Sequence, residues 1–566
     1  MTVGLVGSGP AAAAVDAALG DVDIDTEAVA QDAIAEFELA IVTGQAGDTV
    51  FEQANEVALD TGQRWIAVEL GGVGGFPVVD AAVVGFGPDT GCYECLSGRV
   101  SANLNPQAEP TAAPPSHTAR FAGAVAGREA ARHLVGDGGT FGEVIEIPHA
   151  TREFLPLPNC ACDDERRRLP VRSHVERDLE ESLGRAERAV DDRLGLIQEI
   201  GEAESFPVPY YLAHACDTAG FSAVSAGRDA AGVAAGWDEA FMKALGEGLE
   251  RYAAGIYQLS AFESAPEMGV SNPVSPGAFA GVEGHDPSAP LQWVPGENLL
   301  TGDEVRLPAE FVQYPPPSRE YRAPVTTGLG LGNGGVEALL AGLYEVIERD
   351  AAMLSWYSTF EPLALDVQDD GFETLVGRAK SEDLSVSTLL LTQDVDVPVV
   401  AVAVHGDEWP KFAVGSGADL DVAAAARSAL AEALQNWMEL RGMGPEDAEN
   451  ASGAIGRYAD FPAEAERFVE TAGGVPAESV GPDEIPSGEA ELDEVLDRVD
   501  EAGLHAYATR TTTRDVATLG FEAVRVLVPE AQPLFFGDSV FGERAETVPA
   551  EMGFEARLNR DHHPFP

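Results

Sequence analysis

The chain has 566 residues, with 95 Asp and Glu against 35 Lys and Arg, a formal charge of −60. Apolar residues make up 45% of it, enough for a sizeable core and too many for an acidic disordered tail. Acid excess with only three lysines (Lys243, Lys380, Lys411) reads as adaptation to a salt-rich cytoplasm, and it excludes nucleic-acid backbones as partners: the densest basic run, Arg166-Arg167-Arg168, adjoins Asp163, Asp164 and Glu165.

Met1-Thr2-Val3-Gly4 opens no signal-peptide pattern, and no apolar run nears the roughly 20 residues of a membrane span, so the expected compartment is the cytoplasm, with no membrane partner. Residues 1–165 alternate strand and helix patterns. A short apolar strand at 3–6 is followed by Gly7-Ser8-Gly9 and an alanine-rich helix over 11–19; 39–42 and 65–70 are further buried-strand candidates. This is the βαβ pattern of a parallel, Rossmann-like α/β domain. Gly7, Gly9 and Ala12 have the spacing G-x-G-x-x-A of dinucleotide sites. Asp25, Glu27 and Asp32 each qualify as the partner acid, and tight strand-to-helix packing is the alternative use of the glycines.

Cys92-x-x-Cys95 and Cys160-x-Cys162 hold four of the five cysteines. Two tight pairs in a reducing compartment read as a four-thiolate structural zinc site, against the alternative of small buried thiols. Cys216 has no sequence partner and reads as a core thiol. Residues 166–200 read as a charged helical connector, with Val175, Leu179, Leu183, Ala186 and Val190 at spacings of three to four. From 201 to 566 the chain forms a second, larger unit, with strands at 398–404, 412–414 and 523–528 and an acidic, turn-rich stretch at 443–500 expected to carry surface helices.

One helix pattern recurs three times in this unit: AFMKALGEGLERY at 240–252, EALLAGLYEVIERDA at 337–351 and AAARSALAEALQNWM at 424–438. Each has apolar residues at three-to-four spacing and two polar residues three apart: Glu247 and Glu250, Glu345 and Glu348, Glu432 and Gln435. That spacing puts both side chains on one helix face. Two such helices facing each other would gather four carboxylates, whose mutual repulsion a hard cation such as Mg²⁺ relieves. In so acidic a chain the alternative is a solvated face. The matched apolar context and the arginines that follow two of the pairs (Arg251, Arg349) favour a site.

"LYEVIERDA" at 343–351, preceded by "TTGLGLGNG" at 326–334, resembles the YcaO family, ATP-dependent enzymes that activate a peptide-backbone amide. "SAGRDAAG" at 225–232, "ALGEGLER" at 244–251, "ARSALAEALQ" at 426–435 and "FEAVRVLVPEAQPLFFG" at 521–537 follow in family order. The resemblance implies an α+β YcaO-type domain over 201–566. It makes Glu247, Glu250, Glu345 and Glu348 magnesium ligands, and it puts Ser225, Arg228, Asn333, Glu337, Arg349, Arg427, Glu432 and Gln435 at ATP. A Walker sequence G-x-x-x-x-G-K-[ST] is absent, so the phosphate site is not a P-loop.

"RWIAVELGG" at 64–72 and "DTGCYECLSGR" at 89–99 resemble the ubiquitin-activating-like (E1-like) partner domain of azole-forming cyclodehydratases, whose cysteines bind zinc. The implied function is amide O-phosphorylation that gives azoline rings in a ribosomally made peptide. The alternatives are thioamide formation or other sulfur transfer, which needs a sulfur-delivery protein, and a non-catalytic docking protein that keeps the fold. A peptide or protein substrate is the expected partner, with a homodimer also compatible. Azoline-forming relatives tend to end in P-x-P-x-P; here Pro564-Phe565-Pro566 is what matches.

Overall fold

The computed structural model describes residues 2–104, 114–162, 169–448, 455–471 and 473–566. Met1, the run Arg166-Arg167-Arg168 with its flanking acids, the expected boundary at 165–166 and parts of 443–500 lie outside the described residues.

The first unit comprises β1 (Thr2–Val6), α1 (Pro10–Gly20), β2 (Asp25–Ala28), β3 (Ala40–Gln45), α2 (Val50–Thr61), β4 (Trp65–Leu70), β5 (Ala81–Phe86), α3 (Tyr93–Ala102), α4 (Ser116–Leu134), β6 (Glu143–Ile147) and β7 (Ala150–Glu153). Its seven strands lie in the order β2-β1-β3-β4-β5-β6-β7. The sheet is parallel through β4, as the strand–turn–helix pattern predicts. Beyond β4 it turns antiparallel, a correction to the parallel reading. Apolar runs buried on both faces carry no sign of direction. Ile66 and Val68 face α1 and α4, while Trp65 and Ala67 face α2 and α3. Gly7, at φ +102°, lies so close to β3 that a Cβ would meet the Thr43 carbonyl at 2.4 Å; a Cβ on Gly9 would meet nothing within 4 Å. Gly7 therefore serves strand packing.

The connector expected to be helical over 166–200 is helical only in part. Residues 170–178 have no regular structure, and α5 (Leu179–Ala186) starts where the Asp178 carboxylate accepts the Glu181 N–H at 2.8 Å. Tertiary hydrogen bonds outweigh the weak helical spacing before it. The Ser173 carbonyl accepts from Val336 at 3.2 Å, and Arg177 donates to the carbonyls of Asn333 (3.2 Å) and Gly520 (2.7 Å).

The rest of the chain runs β8 (Ile197–Glu204), β9 (Tyr210–Ala215), β10 (Asp229–Val233), α6 (Trp237–Gly255), β11 (Glu263–Pro266), β12 (Pro290–Asn298), β13 (Glu304–Pro308), α7 (Ala309–Val312), β14 (Leu329–Gly332) and α8 (Gly335–Trp356). It continues with β15 (Leu363–Asp366), α9 (Asp370–Ser381), β16 (Ser385–Leu390), β17 (Val399–His405), β18 (Phe412–Ala418) and α10 (Val422–Ala448, kinked at Gly444). Last come α11 (Ile455–Tyr458), α12 (Ala463–Val469), β19 (Gly474–Pro476), α13 (Glu489–Glu501), β20 (Tyr507–Arg510), α14 (Arg514–Leu519), β21 (Glu522–Leu527) and α15 (Arg544–Glu551). Three sheets result: β10-β9-β8; β11-β12-β20-β21-β14 with β13 on β12; and β18-β17-β16-β15-β19. The acidic stretch carries the expected helices and also β19, which pairs in parallel with β15.

The thrice-repeated helix is matched by a thrice-repeated strand. β10 precedes α6, β14 precedes α8, and β18 precedes α10. Each strand has a glycine pressed against the following helix. A Cβ on Gly232 would lie 2.2 Å from the Ala240 carbonyl oxygen, on Gly330 2.1 Å from that of Ala338, and on Gly415 2.5 Å from that of Ala429. Helix backbone thus rides directly on strand backbone, an approach only glycine permits.

Candidate functional site

This close approach brings a backbone N–H within reach of the first acid of each helix, from β10 and β18 in two cases and from the turn just before β14 in the third. Ala231 donates to Glu247 Oε2 at 2.6 Å, Gly328 to Glu345 Oε2 at 3.0 Å, and Ser416 to Glu432 Oε2 at 2.6 Å. Each carboxylate is thereby held through its Oε2, which restrains its rotamer, and Glu247 Oε1 also pairs with Arg251 at 2.5 Å. The second acids differ. Glu348 accepts the Ser416 hydroxyl at 2.7 Å and pairs with Arg349 at 3.4 Å. Glu250 has no hydrogen bond or ion pair among the described residues.

Glu247, Glu250 and Glu345 line one cavity of about 570 Å³, together with Lys243, Asn333 and Glu337. A second cavity of about 650 Å³ adjoins it, sharing Ala231, Glu247 and Arg251, and is lined by Glu432, Gln435, Glu439, Phe536 and Pro566. Burial pushes the Glu250 carboxyl up to about 8, with Glu345 and Glu247 adding repulsion. Burial also raises Glu247 and Glu345, and takes Glu432 to about 7. Arg525, which donates to the carbonyls of Thr326 (2.7 Å) and Val325 (2.9 Å), is lowered to about 10 by burial despite the attraction of Glu345 and Glu250. The carboxylates of two helices therefore meet in a crevice that disfavours their charge.

Other predicted residues fall in three groups. Asn333 and Glu337 hold each other, the Glu337 carboxylate accepting the Asn333 N–H at 2.8 Å, and Asn333 Oδ1 accepts the Ser182 hydroxyl at 3.0 Å. Arg349 lies between Glu348 and Glu432 (3.7 Å), and Gln435 donates to Glu439 at 3.0 Å. Ser225, Arg228, Glu348, Arg349 and Arg427 line neither cavity. Ser225 is exposed, Arg228 donates to the Ala215 carbonyl (3.0 Å) and Gln198 (3.3 Å), and Arg427 pairs with Asp369 at 2.8 Å. Sequence reasoning missed Glu439, Lys243 and Arg525. Glu439 lies one turn beyond Gln435, a spacing that could have shown it; it accepts the Tyr210 hydroxyl at 2.8 Å.

The cysteines form a separate cluster. Cys92 is the N-cap of α3 and Cys95 lies in its first turn. The four sulfurs lie within 4.8 Å of one another, with Cys92–Cys160 at 3.5 Å, Cys95–Cys162 at 3.4 Å and Cys92–Cys95 at 3.8 Å. A tetrahedral zinc with bonds of about 2.3 Å sets its sulfurs about 3.8 Å apart, so the donor set fits that ion. Cys216 is buried on its own, as expected. No helix among the described residues is long and apolar enough to cross a membrane.

Fold and site together define a mixed α/β protein that gathers carboxylates from successive strand–helix units into one crevice. Residues 231–532 match the family described as YcaO cyclodehydratase, ATP- and Mg²⁺-binding. The chain belongs to the YcaO family. An uncharacterized protein of Methanothermobacter thermautotrophicus is 30% identical over 261 residues, which is 43% of this chain and 66% of that relative's length. A solved heterocyclase in complex with substrate and cofactor has a TM-score of 0.74 at 21% identity, covering 98% of this chain and 83% of that one. YcaO from Methanopyrus kandleri, bound with AMPPCP and Mg²⁺, has a TM-score of 0.51 at 24% identity, covering 66% and 96%. At these identities the two structures speak for the fold.

Proposed function

We propose that this chain is an ATP- and Mg²⁺-dependent enzyme that phosphorylates a backbone amide oxygen of a peptide and so closes azoline rings. The observation that carries the reading is the meeting of Glu247, Glu250 and Glu345 in one cavity, with Glu250 unpaired among the described residues. An unpaired, buried carboxylate beside two others is a place prepared for a cation. Glu247, Glu250, Glu345 and Glu348 would hold Mg²⁺, with Asn333, Glu337, Arg349, Glu432 and Gln435 around the nucleotide. Arg228 and Arg427 are occupied elsewhere and enter the proposal as scaffold.

An amide oxygen is a poor leaving group, and ATP supplies the phosphoryl group that lets it depart. The residues of the chain position the reactants and balance charge. Arg349, already between Glu348 and Glu432, would balance part of the acid charge around the cation and the nucleotide. The adjoining cavity, lined by Glu432, Gln435, Phe536 and Pro566, offers room for the peptide. We further propose that the first unit presents the peptide and that its four cysteines hold a structural zinc.

The test is ATP turnover in molar salt with Mg²⁺ and Cys/Ser/Thr-rich peptides, with mass spectrometry of the products. A loss of about 18 Da per site marks a ring: a side-chain nucleophile bonds to the amide carbon, and the amide oxygen leaves that carbon with the phosphoryl group attached, as phosphate. A gain of about 16 Da, sulfur in place of oxygen, would convert the assignment to thioamide formation. No nucleotide hydrolysis with any peptide would leave a docking protein.

A further inference from the structure

Helix α3 begins at the cysteine cluster and ends against residues of the second unit. Arg99, seven residues after Cys92, is fully buried and donates to the Asp515 carboxylate, to the Tyr252 hydroxyl at 3.1 Å and to the Pro156 carbonyl at 3.0 Å. The Tyr252 hydroxyl donates to Asp515 at 2.6 Å. Tyr252 belongs to α6, two residues beyond Glu250. The residue before Asp515 reaches back the other way: Arg514 Nη1 donates to Cys162 Sγ at 3.1 Å and to the Cys162 carbonyl at 3.2 Å. Two adjacent residues of the second unit thus grip the cysteine cluster on one side and both α3 and α6 on the other.

Four thiolates around one divalent cation leave a net charge of about −2, and N–H donors to the sulfurs stabilise it. Arg514 brings both a cation and a donor to Cys162. We infer that Arg514 is an outer hydrogen-bond donor to a four-thiolate metal centre, and that metal occupancy thereby fastens the first unit to α6, the helix carrying Glu247 and Glu250. The inference rests on the proposed zinc site. The N-terminal sheet, the metal and the acid crevice then form one mechanical chain, running from Cys162 through Arg514 and Asp515 to Tyr252.

The test uses the full chain and zinc itself. Competition with a chromophoric chelator measures zinc affinity in the wild type, Arg514→Ala and Arg514→Lys. Outer partners of metal ligands are worth roughly 10–100-fold in affinity, so Arg514→Ala should bind zinc that much more weakly and Arg514→Lys fall between. Amide hydrogen exchange gives the second readout. Stripping zinc from the wild type should raise exchange in both α3 and the second half of α6; in Arg514→Lys the rise in α6 should be smaller. Equal zinc affinity in all three proteins, or an α6 indifferent to stripping, overturns the inference. A wild type that takes up no zinc overturns the metal reading beneath it, which the first titration shows before any variant is made.

Discussion

Glu250 offers the sharpest test of the acid crevice. Burial first, then Glu345 and Glu247, hold its carboxyl at about 8 against an ordinary 4.5. At about pH 7 roughly nine-tenths of it is therefore protonated, and a protonated acid is no ligand for Mg²⁺. Cation binding must expel that proton. Titration calorimetry in buffers of different ionisation enthalpy should find about 0.9 proton released per bound Mg²⁺ near pH 7, and about 0.1 near pH 9. Affinity should rise about tenfold per unit from about pH 6 to about pH 7.5 and level off above about pH 8.5. Glu250→Gln should take away this share of the proton release and flatten the slope, leaving what Glu247 and Glu345 contribute. Without the cation the sign reverses. The folded chain binds a proton that the unfolded chain loses near pH 4.5, so this contribution to stability is complete below that and is lost as pH rises through about 8. A shift of about 3.5 units caps it at about 5 kcal/mol. Cation binding that releases no proton and shows a pH-independent affinity would refute the placement of Glu250 among the other acids.

Glu345→Gln should cut ATP turnover by about 100-fold or more while the far-ultraviolet circular dichroism stays unchanged; normal turnover would remove Glu345 from the metal site. Gly330→Ala would put a Cβ 2.1 Å from the Ala338 carbonyl, and should cost about 3 kcal/mol in denaturant unfolding. An unmoved unfolding midpoint would contradict the strand-on-helix contact that aims Glu345. Asp515→Ala leaves Arg99 fully buried without its counter-charge, and should destabilise by about 3–5 kcal/mol. A loss below about 1 kcal/mol would mean that the junction of the two units does not depend on this pair.

The three acid-bearing helices were readable because everything that defines them is local. Leucines and alanines at three-to-four spacing mark the buried face, and a polar pair three apart marks the other. The reason those acids converge was not readable. It lies in Gly232, Gly330 and Gly415, whose missing side chains let backbone N–H groups of the strands and of the turn before β14 reach Glu247, Glu345 and Glu432. Each contact spans 16 or 17 residues, beyond any helical period. The cysteine pairs announced themselves by spacing, whereas Arg514 lies 352 residues from Cys162 and left no sequence signal. Arg228 and Arg427 matched motif positions, but motif position says nothing of a competing partner such as Asp369. Residues 170–178 are not helical because the Ser173 carbonyl is engaged by α8 and the Arg177 side chain by the carbonyls of Asn333 and Gly520.

In the proposed enzyme, acids from α6 and α8 share divalent cations with a nucleotide. Counting Mn²⁺ bound in the presence of a non-hydrolysable ATP analogue, by the electron paramagnetic resonance of the free ion, tests it most directly. The account requires tight, nucleotide-dependent Mn²⁺ binding in the wild type, and its loss in Glu250→Gln and in Glu345→Gln alike. Binding of the same number of ions with the same affinity in both variants would contradict it.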